Sequence, residues 1–257
     1  NAEVALYTGW LNLPWVVKPL WSPFVDLVRT KRWWVVAMQM LIGAALAGIA
    51  FLIPAPHFFQ STLALFWLMA FASATHDIAA DGFYMLGLTP HQQALFVGIR
   101  STFYRLATIA GQGLLLMFAG WLEQSGRGIP FAWSVTFLLL AGVFLAVFVY
   151  HAFVLPCPSA DRPAASISAQ SLWREFLLTF RSFFRKEGIG VALLFMLLYR
   201  FPEAQLAKMG IPFLLDPVAE GGLGMTTEQI GFTQGTVGVI GLTLGGILGG
   251  IAVARHG

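Results

Sequence analysis

The sequence predicts an all-α membrane protein, and three observations carry that class. First, 58% of the 257 residues are hydrophobic, only 11% are charged, and the mean hydropathy is +0.75. A soluble domain keeps about a quarter of its residues charged. Second, seven apolar stretches are each long enough to cross a hydrocarbon core of about 30 Å, which takes roughly 20 residues of helix. Third, the basic residues between these stretches sort to one side. The composition excludes disordered, coiled-coil, collagenous and disulfide-rich secreted chains. The lone Cys157 leaves no internal disulfide and no cysteine-based structural zinc. Alternation at period 2, the mark of an outer-membrane barrel, is missing.

The spans are justified in order. Ala2–Val25 is apolar around Lys18, with Pro14 and Pro19 on either side of that lysine. Trp33–Ile53 is 21 residues without a charge, and Ala55–Thr75 is another 21 whose only titratable group is His57. His91–Trp121 is interrupted by Arg100 and Arg105. Pro130–Tyr150 is charge-free, Gly188–Leu215 carries Arg200, Glu203 and Lys208, and Gln229–Ala254 runs 26 residues. No basic leader with a cleavage site opens the chain, so no signal peptide is expected. Both ends break off in helical or loop sequence, which predicts a piece of a longer protein.

Seven alternating helices place the loops in two sets. The set after the odd-numbered spans holds Arg29, Lys31, Arg32, Arg162, Arg174, Arg181, Arg185, Lys186 and Arg255. The opposite set holds only Arg127, so nine basic residues face one. By the positive-inside rule the first span runs from outside to inside. The tryptophans, among them Trp10, Trp21, Trp33 and Trp121, lie mostly near span ends, as an interfacial belt requires.

The longest polar interval divides the chain into a five-helix bundle at 1–155, a cytoplasmic linker at 156–187 and the first two helices of a second bundle at 188–257. The linker opens as PCPSADRPAASIS and becomes SLWREFLLTFRSFFRKEG. There Leu172, Phe176, Phe180 and Phe183 recur at helical spacing, while Arg174, Arg181 and Arg185 fall on another face. Two placements fit this pattern: an amphipathic helix on the inner membrane surface, or a linker helix packed on the bundle.

A short repeat lies at both ends. Ser22 and Asp26 precede Arg29, Lys31 and Arg32 after the first span; Gly250 and Ala254 precede Arg255 after the seventh. A small residue permits close helix approach, and an Asp among basic neighbours can latch helices on the inner side. This arrangement resembles the cytoplasmic loop signature of the major facilitator superfamily, which follows the second and eighth of twelve helices. The resemblance implies a partial twelve-helix transporter whose seven spans correspond to the second to eighth. Ser22 replaces a glycine of the signature, and Ala254 replaces its aspartate. Within the superfamily, LPWVVKPLWSPFVD (13–26), ATHDIAAD (74–81) and LYRFPE (198–203) resemble the AmpG-like permeases. AGQG (110–113) stands where antiporters carry a glycine–proline pattern.

Charges at bilayer depth cost about 2.5–3.5 kcal/mol or more each, so they are paired or line a wet cavity. Asp77 and Asp81, four apart, share a helix face. Depth counting along antiparallel neighbours sets Arg100 level with Asp81 and Arg105 level with Asp77. Two roles fit these four residues: permanent salt bridges that tether helices, or carboxylates whose arginine partner can be exchanged and which thereby carry a proton. His76 beside them is a secondary candidate. Lys18 is expected to snorkel towards the inner surface. Arg200 lies about twelve residues into its span, near the midplane by the rise per residue, with Pro202 beside it. Arg200, Lys208 and Arg105 suit a carboxylate or phosphate; Glu203 can neutralise Arg200. Gln112, seven residues after Arg105, shares its face and suits a sugar or amide.

The resemblance implies proton-coupled import of muropeptide-like saccharide–peptides across a bacterial inner membrane by alternating access of two bundles, with no cofactor. The expected partners are that solute, protons and the bilayer; the chain is expected to be monomeric and to bind no nucleic acid. The alternatives are a transporter of acyl-CoA or another metabolite, or, from other classes, an intramembrane enzyme or a receptor. The enzyme alternative finds no paired membrane histidines for a metal, no Gly-x-Ser-x-Gly and no His-Glu-x-x-His in the sequence. Asp77 and Asp81 with arginines nearby would both stay ionised, unlike a dyad that shares a proton.

Overall fold

A computed structural model describes residues 2–162, 169–241, 244, 245 and 248, and every regular element among them is helical. The first expected span is three short helices, not one: α1 (Ala2–Trp10), α2 (Leu13–Val17) and α3 (Ser22–Val28), with a 3-10 turn at Lys18–Leu20. Prolines cause the breaks. Pro14, Pro19 and Pro23 each stand in the first turn of a piece, where the missing N–H would have had no partner.

α4 (Lys31–Leu52) matches the second expected span. α5 (Phe58–Gly87) starts only after Pro54 and Pro56 and continues well past Thr75, taking Asp77 and Asp81 into one uninterrupted helix. Thr89 opens α6 (Pro90–Thr108) with a capping box: its hydroxyl accepts from the Gln92 N–H, and its own N–H donates to the Gln92 side chain at 2.9 Å. A π turn at Ile109–Leu114 leads into α7 (Leu115–Leu122) and another at Glu123–Arg127 follows it. α8 (Ile129–Val154), α9 (Ala169–Phe184) and α10 (Ile189–Leu215) come next; α10 remains helical through Pro202 and Pro212. α11 (Thr227–Phe232) continues as a π turn at Thr233–Val237. Much of the seventh expected span beyond it, Gly250 and Arg255 included, lies outside the described residues. Five described helical segments are long and apolar enough to cross a membrane: 31–52, 58–87, 102–127, 129–154 and 189–215. The chain is a multi-pass membrane protein.

The helices contribute to two compact units. One comprises residues 1–42, 67–87 and 145–213, the other 43–66, 88–144 and 214–257. In the first, Val25, Val35 and Ala79 form a buried apolar nucleus, with Trp21, Trp34, Ile78, Ala80 and Leu155 packed around it. In the second, Ile49 and Ala50 of α4 are buried, and the Ser134 hydroxyl on α8 donates to the Ala50 carbonyl at 2.8 Å.

Candidate functional site

The first unit gathers most of the charge. Lys18 sits in the 3-10 turn that Pro19 creates, and its ammonium meets the Asp77 carboxylate on α5 at 2.7 Å. The same ammonium lies 5.2 Å from the centre of the Trp15 ring. Two residues before Asp77, the Thr75 hydroxyl accepts from the Trp21 indole N–H at 3.2 Å and donates to the Phe71 carbonyl. The broken first span is thereby fixed against α5 by an ion pair and an indole hydrogen bond. This corrects one expectation: Lys18 is engaged with the Asp77 carboxylate of its own unit instead of reaching for the membrane surface. A signal was present in the sequence, since a lone cation in an apolar span requires a counter-charge. Asp81, one turn on, is half-buried, and Arg100 and Arg105 on α6 are exposed.

One turn of π helix also alters an expected face. Hydrogen bonds from i to i+5 widen the turn at Ile109–Leu114, so seven residues no longer return to the same side of the helix. Gln112 falls inside this turn, so the regular α-helical spacing behind its expected face does not hold there. Arg200 and Glu203 lie on α10 beside Pro202, with the backbone alone described. The Lys208 ammonium donates to the Thr8 carbonyl of α1 at 3.3 Å.

Three polar side chains of the first unit form a chain across three helices. Gln39 of α4 lies between His76 of α5, at 3.1 Å, and His151 of α8, at 3.0 Å. Gln39 is 5% exposed. Neither Gln39 nor His151 stands out in the sequence: Gln39 is the one polar residue of the run 33–53, and His151 falls just beyond the run 130–150.

The basic loop expected to latch helices does so through partners other than Asp26, of which only the backbone is described. The buried Asp161 carboxylate accepts the N–H groups of Lys31 at 2.6 Å and Arg32 at 2.9 Å, while the Thr30 hydroxyl accepts that of Trp33 at 3.1 Å. The first three donors of α4 are thus satisfied, two by a negative charge at the helix N-terminus. The Arg32 guanidinium donates to the Ala152 and Leu155 carbonyls at the C-terminal end of α8. The Lys31 stem lies over Gly82 of α5, where a Cβ would approach Lys31 Cε to 2.9 Å. Arg29 packs on the Trp33 ring at 5.8 Å.

In the second unit α7 crosses α11 through glycines. A Cβ on Gly231 would stand 2.8 Å from the Met117 nitrogen, one on Gly120 2.6 Å from the Glu228 nitrogen, and one on Gly113 2.8 Å from the Gly235 Cα. Only glycine permits such an approach. At the end of this crossing the Glu123 carboxylate accepts from the Trp133 indole at 2.9 Å and the Thr227 hydroxyl at 3.0 Å, and the Gln124 amide donates to Glu228.

The sequence profile described as the Major Facilitator Superfamily matches residues 5–257. An anhydromuropeptide permease from Escherichia coli strain K12 is 26% identical over 246 residues, covering 94% of this chain and 46% of that protein. An uncharacterized protein from Haemophilus influenzae is 26% identical, with 99% of this chain and 57% of its own length covered. A putative transporter from Rickettsia conorii, AmpG 4, is 25% identical, with coverages of 96% and 58%. The chain spans about half the length of the curated relatives it matches. No solved structure matches it significantly.

Proposed function

Because the chain belongs to the Major Facilitator Superfamily, we propose that it forms the greater part of the first bundle, the linker and the opening of the second bundle of a secondary active transporter. Its cargo is an anionic saccharide–peptide of the muropeptide kind, imported with protons across a bacterial inner membrane. The division into 1–155, 156–187 and 188–257 belongs to this proposal. So does monomeric action.

One observation carries the reading: the Lys18–Asp77 pair within the spans. A carboxylate at bilayer depth that holds a lysine is a place where one proton has a mechanical consequence. Protonation of Asp77 neutralises the attraction, leaves Lys18 uncompensated and loosens the first span from α5. Substrate recognition falls to Arg105, Arg200 and Lys208 as anion partners, with Gln112 and Glu203 contributing hydrogen bonds and charge balance. Asp81 and Arg100 complete the charged set. The similarity to an anhydromuropeptide permease supports a muropeptide as the solute.

The α7–α11 crossing supplies the gate. The positive-inside count sets Glu123 and Thr227 at the outer side. The glycine contact and the hydrogen bonds of Glu123 and Gln124 then hold that side closed.

Uptake of radiolabelled anhydromuropeptide by proteoliposomes holding the full-length protein tests the assignment. The gradient should drive accumulation, and Arg200→Gln should raise the half-saturating concentration. Absence of uptake at any gradient sinks the muropeptide assignment.

A further inference from the structure

The chain His151–Gln39–His76 has no task in the mechanism above, and its geometry is restrictive. Gln39 Oε1 lies 3.0 Å from His151 Nδ1, and an amide oxygen can only accept, so His151 Nδ1 carries a hydrogen. Gln39 Nε2 lies 3.1 Å from His76 Nε2, and an amide nitrogen can only donate, so His76 Nε2 is bare. In this orientation His76 is neutral, while His151 can be either neutral or an imidazolium. Turning the Gln39 amide over keeps the same outline and reverses both roles: His76 then carries a hydrogen on Nε2, and His151 must be neutral.

An imidazolium has a hydrogen on both ring nitrogens. Two imidazoliums would therefore aim two N–H groups at one amide, and the amide has a single acceptor atom. Gln39 is buried and the two rings are half-buried, so a surplus N–H aimed at the amide has no second acceptor within the trio. Two charged groups and an aromatic ring border the same site. Asp77 follows His76 on α5 and is held by Lys18. Arg32 caps the last turn of α8 at Ala152 and Leu155, beside His151. The Tyr150 ring packs on His151 with centroids 5.5 Å apart.

We infer that Gln39, His76 and His151 form a one-proton site: the two imidazoles bind a single proton between them, and the orientation of the Gln39 amide records which ring holds it. Occupation of one ring excludes occupation of the other. With His76 charged, a cation stands next to Asp77 on α5; with His151 charged, the cation sits on α8. The site thereby ties the bound proton to the helix that contacts the Lys18 latch. As a proton site of a transporter it rests on the proposed function, but its chemistry can be read without any substrate.

The test is histidine-selective 15N NMR on the full-length protein in lipid nanodiscs, titrated across the imidazole range, with His76→Asn and His151→Asn as assignments. Each single variant should take up one proton on its remaining ring in a single step. The unmodified pair should also take up one proton over that range, not two, and Gln39→Leu should restore uptake of two. Asn keeps a hydrogen-bonding side chain at each ring position, so the single variants carry the test if Gln39→Leu does not fold. Uptake of two protons by the unmodified pair, or a His76 signal indifferent to His151→Asn, overturns the inference. Failure of muropeptide uptake would count against the transport reading and leave this titration unaffected.

Discussion

Lys18 and Asp77 hold each other in a setting where neither is comfortable alone. Their side chains are 32% and 26% exposed, at least partly desolvated by protein, and α5 belongs to a membrane-crossing segment. Removing one partner leaves the other charge uncompensated, which costs more than removing both. Lys18→Met should therefore destabilise the protein by ~2 kcal/mol, and adding Asp77→Asn should recover most of that loss. Thermal unfolding in one detergent, run as a double-mutant cycle, measures the coupling; additive losses would show that the pair contributes nothing. The sequence identifies both residues but not their partnership. Depth counting sees only continuous neighbouring helices, and the turn at Pro19 that aims Lys18 at α5 belongs to no such count. Asp161 is missed for a related reason: a carboxylate in a polar linker looks solvated until the chain folds it onto the first turn of α4.

Helices whose limits are set by local chemistry are legible in advance. α4, α8 and α10 begin and end close to their apolar runs, and the prolines before Phe58 bound α5. What single-sequence periodicity misses is the wider turn. The π turns at Ile109–Leu114 and Thr233–Val237 each hold one partner of a glycine contact, Gly113 and Gly235, where two backbones meet. No stripe of side chains announces them. A bulky residue in this contact has no space. Gly231→Leu should force α7 and α11 apart, at ~1–3 kcal/mol of overpacking. Spin labels on Ser125 and Glu220, in a Cys157→Ser background, should then report longer distances by electron resonance. An unchanged distance distribution would show that the crossing is not a tight one.

At the scale of the molecule, the composition and the apolar spans agree with membership of the superfamily, and nine basic residues against one predict the direction of the chain. Cys157, the lone cysteine, is exposed just after α8 on the side expected to be cytoplasmic. A membrane-impermeant maleimide should label it in inverted vesicles and leave it untouched in spheroplasts; the reverse pattern would invert the topology. Substrate specificity is the least legible property, because the proposed anion partners Arg200 and Lys208 would suit a carboxylate or a phosphate alike. The central claim is that Asp77 couples proton binding to movement. Its most direct measurement compares two activities of Asp77→Asn in proteoliposomes of the full-length protein: accumulation of labelled anhydromuropeptide down a proton gradient, and exchange of that solute without one. The account predicts that accumulation falls to the level seen without a gradient while exchange persists. Accumulation that survives the substitution at the unmodified level would contradict it.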